Sequence, residues 1–265
     1  MNKIVSIFGC GWLGLPLAEH LMKEGYQVKG TTTTAGKIDI LKQKGIEPYH
    51  ALLEPDLQIS GQDFFETDIL IINIPPSTYK QGPDFHPRQI ASLTAHTKQF
   101  EIEKILYISS TSVYPETNNE VDESLELSIE NDRQKALLLA EKELLKTYPR
   151  ATILRCGGLM GYDRQPVRFL TMSSLSKSKK SLDTPVNYIH RDDVVKIIKL
   201  LLKKECPGEI FNLVAPMHPL RKDFLKEINT EDQIKPSYKI VSSTKIVQFL
   251  GYSFIYPDPL NFDQQ

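Results

Sequence analysis

The chain has few of the features that mark secreted, membrane or nucleic-acid-binding proteins. Its three cysteines, Cys10, Cys156 and Cys206, are widely spaced, which excludes a disulfide framework and a paired-cysteine zinc site. The six histidines show no metal-ligand spacing. No window approaches the roughly 18 apolar residues of a membrane helix, and a formal net charge of -1 does not indicate a polyanion-binding surface. We therefore expect a cytoplasmic protein with a small-molecule substrate and with neither a nucleic-acid nor a membrane partner.

Apolar stretches and helical spacing alternate along the chain. Short apolar stretches predict strands at residues 3–8, 26–32, 68–74, 104–108, 152–156 and 210–214. Apolar residues at helical spacing predict helices after Gly14 and around residues 88–98, 136–145 and 194–202. This alternation predicts an α/β fold with a Rossmann-like, doubly wound parallel sheet.

The length allows one large domain or a main domain with a small lobe. We expect residues 1–156 together with 187–215 to form the Rossmann domain. Proline and glycine are scattered through 157–186 and 216–265, and these ranges predict a small C-terminal substrate-binding lobe.

A glycine-rich turn joins the first predicted strand to the first predicted helix. It fits the pattern GxGxxG, and its predicted cofactor-binding residues are Gly9, Gly11, Trp12, Leu13 and Gly14. The first glycine permits a tight turn, the second lets a pyrophosphate approach the backbone, and the third lets the helix pack closely on the strand. The free amides at the helix start suit phosphate oxygens. The turn therefore predicts a dinucleotide site.

The end of the second strand bears on which dinucleotide is bound. A carboxylate there would hold the ribose hydroxyls of NAD, but four threonines, Thr31 to Thr34, and then Lys37 come before the first carboxylate, Asp39. Hydroxyls with a nearby ammonium favour a 2′-phosphate, so we expect NADP somewhat more than NAD, with contacts from Thr32, Thr33 and Lys37. Alternatively, the threonines only cap the next helix and either cofactor binds. Further cofactor contacts are predicted at Ile74, Pro75 and Ser109.

Five segments together resemble a known family. They are the glycine turn with its GWLG, YISSTSVY at residues 107–114, ILRCGGLMG at 153–161, NYIHRDDVVKII at 187–198 and GEIFNLVAP at 208–216. They resemble the extended or atypical short-chain dehydrogenase/reductase family, the NAD(P)-dependent epimerase/dehydratase group. With YPDPL at residues 256–260, the likeness extends to a small bacterial branch, the YeeZ-like proteins, over nearly the whole chain.

The resemblance implies roles for several residues. Ser110 falls on the family's catalytic serine or threonine, whose hydroxyl polarises the reacting oxygen, and Tyr114 falls on a structural tyrosine. Pro115 stands where the family has glycine. Asp193 matches an aspartate that supports the fold from a helix start, and we interpret Asp192 or Asp193 as a helix cap.

The chain departs from the family at its acid/base pair. The family's chemistry needs Tyr-x-x-x-Lys on one helix, so that the ammonium lowers the pKa of the phenol. None of the eleven tyrosines has lysine four residues later. Counting back from Glu141, which resembles the family's helix glutamate, the two positions fall on Arg133 and Leu137, and a shift of one or two residues would bring in Gln134 or Lys135 without restoring the pair. A proton donor must therefore come from elsewhere. The candidates are Ser110, Lys135, Tyr162 and His190.

Three functions remain open. The first is an NAD(P)-binding oxidoreductase or epimerase with an atypical active site, acting on a carbonyl or sugar-nucleotide-like substrate. The second is a sensor or regulatory module that binds NAD(P) without catalysis, since the cofactor turn is kept while the pair is lost. The third is a β-hydroxyacid dehydrogenase-like enzyme, which the glycine turn also resembles and which would have an all-helical C-terminal half. The family resemblance also makes a homodimer an expectation.

Overall fold

The structure, a computed structural model, describes residues 3–76, 81–168, 170, 181–225 and 236–262. Within these ranges the strands are β1 Ile4–Phe8, β2 Gln27–Thr32, β3 Glu47–Leu53, β4 Leu57–Ile59, β5 Ile69–Ile72, β6 Lys104–Ser110, β7 Glu120–Val121, β8 Thr152–Cys156, β9 Gly158–Met160, β10 Tyr188–His190, β11 Ile210–Leu213 and β12 Ile240–Val241. The α-helices are α1 Gly14–Lys23, α2 Ile38–Gln43, α3 Phe85–Thr97, α4 Asp132–Thr147, α5 Arg191–Leu202 and α6 Thr244–Leu250.

The main sheet has a doubly wound topology. In the described part of the chain its order is β11-β8-β6-β5-β1-β2-β3-β4. From β1 the chain builds β2 and β3 on one side, then returns to add β5, β6, β8 and β11 on the other. β1 pairs in parallel with both β2 and β5, and β4 pairs antiparallel with β3 at the edge. The predicted α/β fold is confirmed, with the order reversing between β1 and β5, where such sheets bind ligands.

The central strands are apolar because helices cover both faces of a parallel sheet. All four residues of β5 and all five of β8 are buried. Helix α1 turns Leu17, Ala18 and Leu21 toward the interior and ends before Gly25, which has a φ of +91°. Gly25 therefore stops the helix as its position in the sequence predicted.

The chain divides into two compact units. The first comprises Met1–Ser109, Ile129–Leu154 and Leu201–Ile210. Its core is a cluster of buried side chains that includes Phe8, Leu70, Ile72, Tyr107 and Ile153.

The second unit comprises Ser110–Ser128, Arg155–Leu200 and Phe211–Gln265. It contains a small core of Met160, Ala215 and Phe262 and another of Leu170, Val186 and Phe224. The predicted ranges of the Rossmann domain and the substrate lobe stay a prediction. Residues 169, 171–180, 226–235 and 263–265 of that lobe lie outside the described residues.

The C-terminal half of the chain is mixed rather than helical. In the described ranges between residues 152 and 213, strands β8, β9 and β10 precede α5, and strand β11 follows it. A β-hydroxyacid dehydrogenase-like chain would carry an all-helical C-terminal half, so the structure does not support that alternative.

A buried chain of side chains links α3 to β6 in the first unit. Gln89 Nε2 donates to the carbonyl O of Leu53 at 2.6 Å, which leaves its Oε1 to accept from His86 Nδ1 at 3.0 Å. His86 therefore carries its proton on Nδ1, and its Nε2 accepts from the Tyr107 hydroxyl at 2.7 Å. His86 is 1% exposed, and burial lowers its pKa.

This arrangement predicts that acid destabilises the fold. Because the folded chain binds the His86 proton less readily than the unfolded chain, the free energy of unfolding should fall as pH decreases below about 6.5. Burial also lowers the pKa of His190 and His218, so they share the effect. In H86Q the free energy of unfolding should fall less between pH 7 and pH 5.5 than in the parent chain. The difference should be at most about 1.4 kcal/mol per pH unit. Urea unfolding at the two pH values measures it, and equal slopes for H86Q and the parent chain would contradict it.

Candidate functional site

The three glycines of the turn between β1 and α1 have different steric surroundings. At Gly9 the φ is +109°, and an added Cβ would collide with the carbonyl O of Asn73. A Cβ at Gly14 would collide with the carbonyl O of Gly9, whereas a Cβ at Gly11 would meet nothing within 4 Å. Gly9 and Gly14 are therefore needed for the turn and for helix packing, and Gly11 leaves the open space that an approaching ligand requires.

Side chains from two neighbouring strands hold the backbone of Gly9. Its N–H donates to Thr31 Oγ1 of β2 at 2.8 Å, and its carbonyl O accepts from Asn73 Nδ2, just after β5, at 2.9 Å. The Cys10 N–H donates to the carbonyl O of Thr31 at 2.8 Å. Sequence reasoning missed both roles, because GxGxxG describes the turn and not the strand ends that surround it.

The start of α1 has few amides left for an external acceptor. The Leu15 and Leu17 N–H groups donate to the carbonyl O atoms of Gly11 and Leu13 at 3.0 and 3.1 Å, and Pro16 has no N–H. Leu13 precedes the helix, is 3% exposed and gives no side-chain capping bond, and the first turn has no acidic residue. Trp12 is half-buried. The Gly14 amide, which precedes these bonded groups, and the positive end of the helix dipole therefore suit an anion.

The predicted contacts to the adenine ribose lie at the end of β2. Thr32 is buried, and its Oγ1 accepts from the Thr34 N–H at 3.2 Å. Thr33 and Lys37 are exposed, and Ala35–Lys37 forms a short 3₁₀ helix. The Thr32 hydroxyl oxygen thus accepts a hydrogen bond from the nearby backbone, while Thr33 and Lys37 are exposed to solvent.

The remaining predicted cofactor residues follow β5 and β6. Ile74 is half-buried and Pro75 is exposed directly after β5. The Ser109 hydroxyl donates to Glu141 Oε1 of α4 at 2.6 Å, with both side chains buried. Ser109 therefore ties β6 to α4 and keeps only its oxygen lone pairs for a ligand.

The positions of the missing acid/base pair lie on α4. Arg133 is exposed, whereas Leu137 is 1% exposed in the core. Leu137, the residue that the resemblance aligns with the family's lysine, is thus a core side chain, and that alignment stays a prediction. Lys135, one of the candidate proton donors, forms an ion pair with Asp84 at 2.8 Å.

Ser110 and Tyr114 belong to the second unit. Ser110 Oγ accepts from the Ser112 N–H at 3.2 Å, which leaves its hydroxyl proton to donate elsewhere. Tyr114 is fully buried; its hydroxyl donates to Asn212 Oδ1 at 2.9 Å and accepts from Arg155 Nη1 at 2.8 Å. With its proton committed to Asn212, Tyr114 occupies the structural position that the resemblance implied.

The structure brings Tyr162 and His190, two candidate proton donors, together in the second unit. Their ring centroids are 5.6 Å apart. Tyr162 is 46% exposed, has a left-handed φ of +58°, and donates its hydroxyl proton to Asp192 Oδ2 at 2.8 Å. The Arg191 guanidinium carbon lies 3.9 Å from the centroid of the Tyr162 ring. Burial and the Asp192 carboxylate raise the pKa of Tyr162, and Arg191 opposes this shift.

His190 is enclosed. It is 0% exposed, packs against Tyr256 with 3.9 Å between ring centroids, and contacts Phe262. Its Nδ1 accepts from the Asp192 N–H at 3.2 Å, so its proton lies on Nε2, against Gly161. Burial lowers the pKa of His190. Its role as a proton donor stays a prediction, and its surroundings are those of a packed strand-end residue.

Asp193 binds the C-terminal segment of the chain rather than the start of its own helix. Its Oδ1 accepts from the Tyr252 hydroxyl at 2.6 Å and from the Ile255 N–H at 2.7 Å, and its Oδ2 accepts from the Tyr256 N–H at 3.1 Å. The interpretation of Asp193 as a helix cap is therefore wrong. Its partners lie about sixty residues later, which local spacing cannot reveal.

The described ranges contain neither a metal-ligand cluster nor a membrane-spanning helix. No three His, Cys, Asp or Glu side chains come together there in a way that could hold a metal ion. None of the helices in those ranges is long and apolar enough to cross a bilayer. The cysteines are free and buried, and burial raises the pKa of Cys10 and of Cys156 to about 12.

Solved structures share this fold across nearly the whole chain. MoeE5 in complex with UDP-glucose and NAD is 14% identical, with a TM-score of 0.79 over 98% of this chain and 96% of that one. UDP-glucuronic acid 4-epimerase from Bacillus cereus, in complex with UDP-glucuronic acid and NAD, is 18% identical, with a TM-score of 0.77 over 98% and 97% of the two chains. At these identities the likeness shows the Rossmann-like fold.

A relative at higher identity shows the family. No protein-family model matches the chain. The protein YeeZ of Escherichia coli K12 is 32% identical over 273 aligned residues, which cover 97% of this chain and 98% of that protein. The resemblance to the YeeZ-like branch is thereby confirmed, and the chain belongs to the YeeZ family.

Proposed function

We propose that the chain binds a nicotinamide dinucleotide at the turn between β1 and α1. The observation that supports this best is the open space above Gly11 beside the uncapped start of α1. Backbone amides there would bind the diphosphate. Both MoeE5 and the Bacillus cereus epimerase, which share the fold, are described in complex with NAD. When bound, the nicotinamide would supply the acceptor and donor of a hydride.

We further propose an oxidoreductase or epimerase of the short-chain dehydrogenase/reductase type. The substrate class would be a carbonyl or sugar-nucleotide-like compound, as the UDP-sugars bound by the two fold relatives suggest. The ranges 157–186 and 216–265 would supply substrate contacts, and a homodimer in the cytoplasm is the proposed working form.

For the proton, we favour Tyr162 with Ser110 among the candidates. Ser110 has a hydroxyl proton to donate to a substrate oxygen. A substrate hydroxyl that becomes a carbonyl would pass its proton to the Tyr162 oxygen while the Tyr162 proton moves to Asp192. The hydride acceptor for this oxidation is what a bound nicotinamide would supply. The Arg191 guanidinium, which lies over the Tyr162 ring, would stabilise the negative charge that develops on the Tyr162 oxygen as its proton leaves. Lys135 is paired with Asp84 and His190 is enclosed, so we give these two residues less weight.

For the cofactor, we propose a preference for NADP over NAD. Thr33 and Lys37 are exposed after β2, and no carboxylate precedes Asp39 to bind ribose hydroxyls. An ammonium gains a charge-assisted hydrogen bond from a 2′-phosphate that a ribose hydroxyl cannot match.

A sensor or regulatory module that binds NAD(P) without catalysis is the second candidate. The observation in its favour is that Leu137, which the resemblance aligns with the family's lysine, is buried in the core. Such a module would bind the dinucleotide tightly and turn over no substrate.

Gly11 provides the test of binding. We expect G11V to keep its melting temperature, because the new side chain meets open space, but to lose affinity for NADH and NADPH by about tenfold or more. Isothermal titration calorimetry and thermal unfolding measure the two effects. Unchanged affinity in G11V, or no affinity in the parent chain, would contradict the proposed site.

Lys37 provides the test of cofactor preference. We expect K37A to weaken NADPH binding by about tenfold, since a charge-assisted bond is lost, and to leave NADH binding unchanged. K42A is the matched control, because Lys42 is another exposed lysine, on α2. A parent chain that prefers NADH, or equal effects of K37A and K42A on NADPH, would contradict the preference.

Tyr162 provides the test that separates enzyme from sensor. The assay follows NAD(P)H absorbance with UDP-glucose, UDP-glucuronic acid and simple carbonyl compounds. We expect Y162F to lower turnover by about 100-fold or more while the dissociation constant of the cofactor is unchanged. Y26F is the control, since Tyr26 lies in the first unit. Full activity in Y162F would remove its role, and a silent parent chain that binds cofactor tightly would favour the sensor.

A further inference from the structure

We propose that Thr31 and Asn73 are positioning residues of the dinucleotide site. They hold Gly9 from both sides, so that the diphosphate takes its amide hydrogen bonds from Gly11 onward and none from Gly9 or Cys10. This inference rests on the proposed binding of a nicotinamide dinucleotide at the same turn. It gives Gly9 the role of shaping the turn rather than of contacting the ligand.

The first observation is that Thr31 accepts hydrogen bonds from the first two amides of the turn, those of Gly9 and Cys10. Ile7 of β1 pairs with Gly30 of β2, which places Thr31 beside the point where β1 ends. Thr31 is 2% exposed, and its side-chain and backbone oxygens accept from the Gly9 and Cys10 N–H groups, each at 2.8 Å. Because each N–H has a buried acceptor at good distance, binding a phosphate there would first require breaking a bond.

The second step is the restraint of the Gly9 carbonyl by Asn73. Phe8 pairs with Ile72, and the next N–H along, that of Asn73, donates to the Phe8 carbonyl at 2.9 Å. Its side-chain amide donates to the Gly9 carbonyl at 2.9 Å. A Cβ at Gly14 would lie 3.1 Å from the same Nδ2 atom, so this amide packs under the start of α1.

Together the two side chains fix a glycine of the turn whose backbone is held in the left-handed region. Gly9 has a φ of +109°, and glycine loses more conformational freedom on ordering than any other residue. A hydrogen bond on each side of Gly9 restrains this freedom before any ligand arrives. The backbone of the turn is then held in place for a ligand, which lowers the cost of binding.

Isosteric variants separate positioning from general stability. T31V keeps the side-chain shape and removes the oxygen that accepts from Gly9, whereas T31S keeps that oxygen. N73D keeps the shape, but its carboxylate cannot donate to the Gly9 carbonyl.

The matched control is T67V. Thr67 is 7% exposed and donates to the carbonyl O atoms of Ile4 and Ile69 at 2.9 and 3.0 Å, near the starts of β1 and β5, far along the strands from the turn.

The readouts are the dissociation constant of NADH by calorimetry and the melting temperature without ligand, measured on the full chain. We expect T31V and N73D to weaken NADH binding by about tenfold, T31S to bind like the parent chain, and T67V to lower the melting temperature while its NADH affinity is unchanged. Folded T31V and N73D with the affinity of the parent chain would overturn the inference alone, as would an equal loss of affinity in T67V. A parent chain that binds neither NADH nor NADPH would overturn the proposed function and this inference with it.

Discussion

The close approach of α1 to the end of β1 is the constraint on which the site depends. The carbonyl O of Gly9 lies where a Cβ of Gly14 would be, and the carbonyl O of Asn73 lies where a Cβ of Gly9 would be. Side chains larger than hydrogen at these two positions would push the helix away from the strand. This contact places the N-terminal end of α1 beside the end of β1, where Gly11 leaves space for a ligand.

The topology of the sheet supplies the partners for this contact. Because β2 and β5 flank β1 in parallel, their ends reach the same edge, and Thr31 and Asn73 lie on either side of Gly9. The strand predicted at residues 68–74 is shorter in the structure, where β5 ends at Ile72 and Asn73 turns its side chain to Gly9. The strand boundary and the binding turn are therefore parts of one arrangement.

Sequence reasoning predicted the elements with strong local signals, such as β1, α1 and the glycine turn. It missed β3, because Glu47–Leu53 buries alternate residues, including Tyr49 and Ala51, in a pattern with little hydrophobic contrast. It also missed the partners of Asp193, and the donor bond from Ser109 to Glu141, because such bonds join residues that lie far apart in the chain. Spacing reports periodicity within an element and carries no information on which distant side chain completes a buried polar group.

The most direct measurement is a crystal structure of the full chain with NADH or NADPH bound. We expect diphosphate oxygens within hydrogen-bond distance of backbone amides between Gly11 and Gly14, with the Gly9 N–H still on Thr31 and its carbonyl still on Asn73. A diphosphate bound to the Gly9 amide, or a dinucleotide bound away from this turn, would contradict the central claim that the turn is a preformed dinucleotide site.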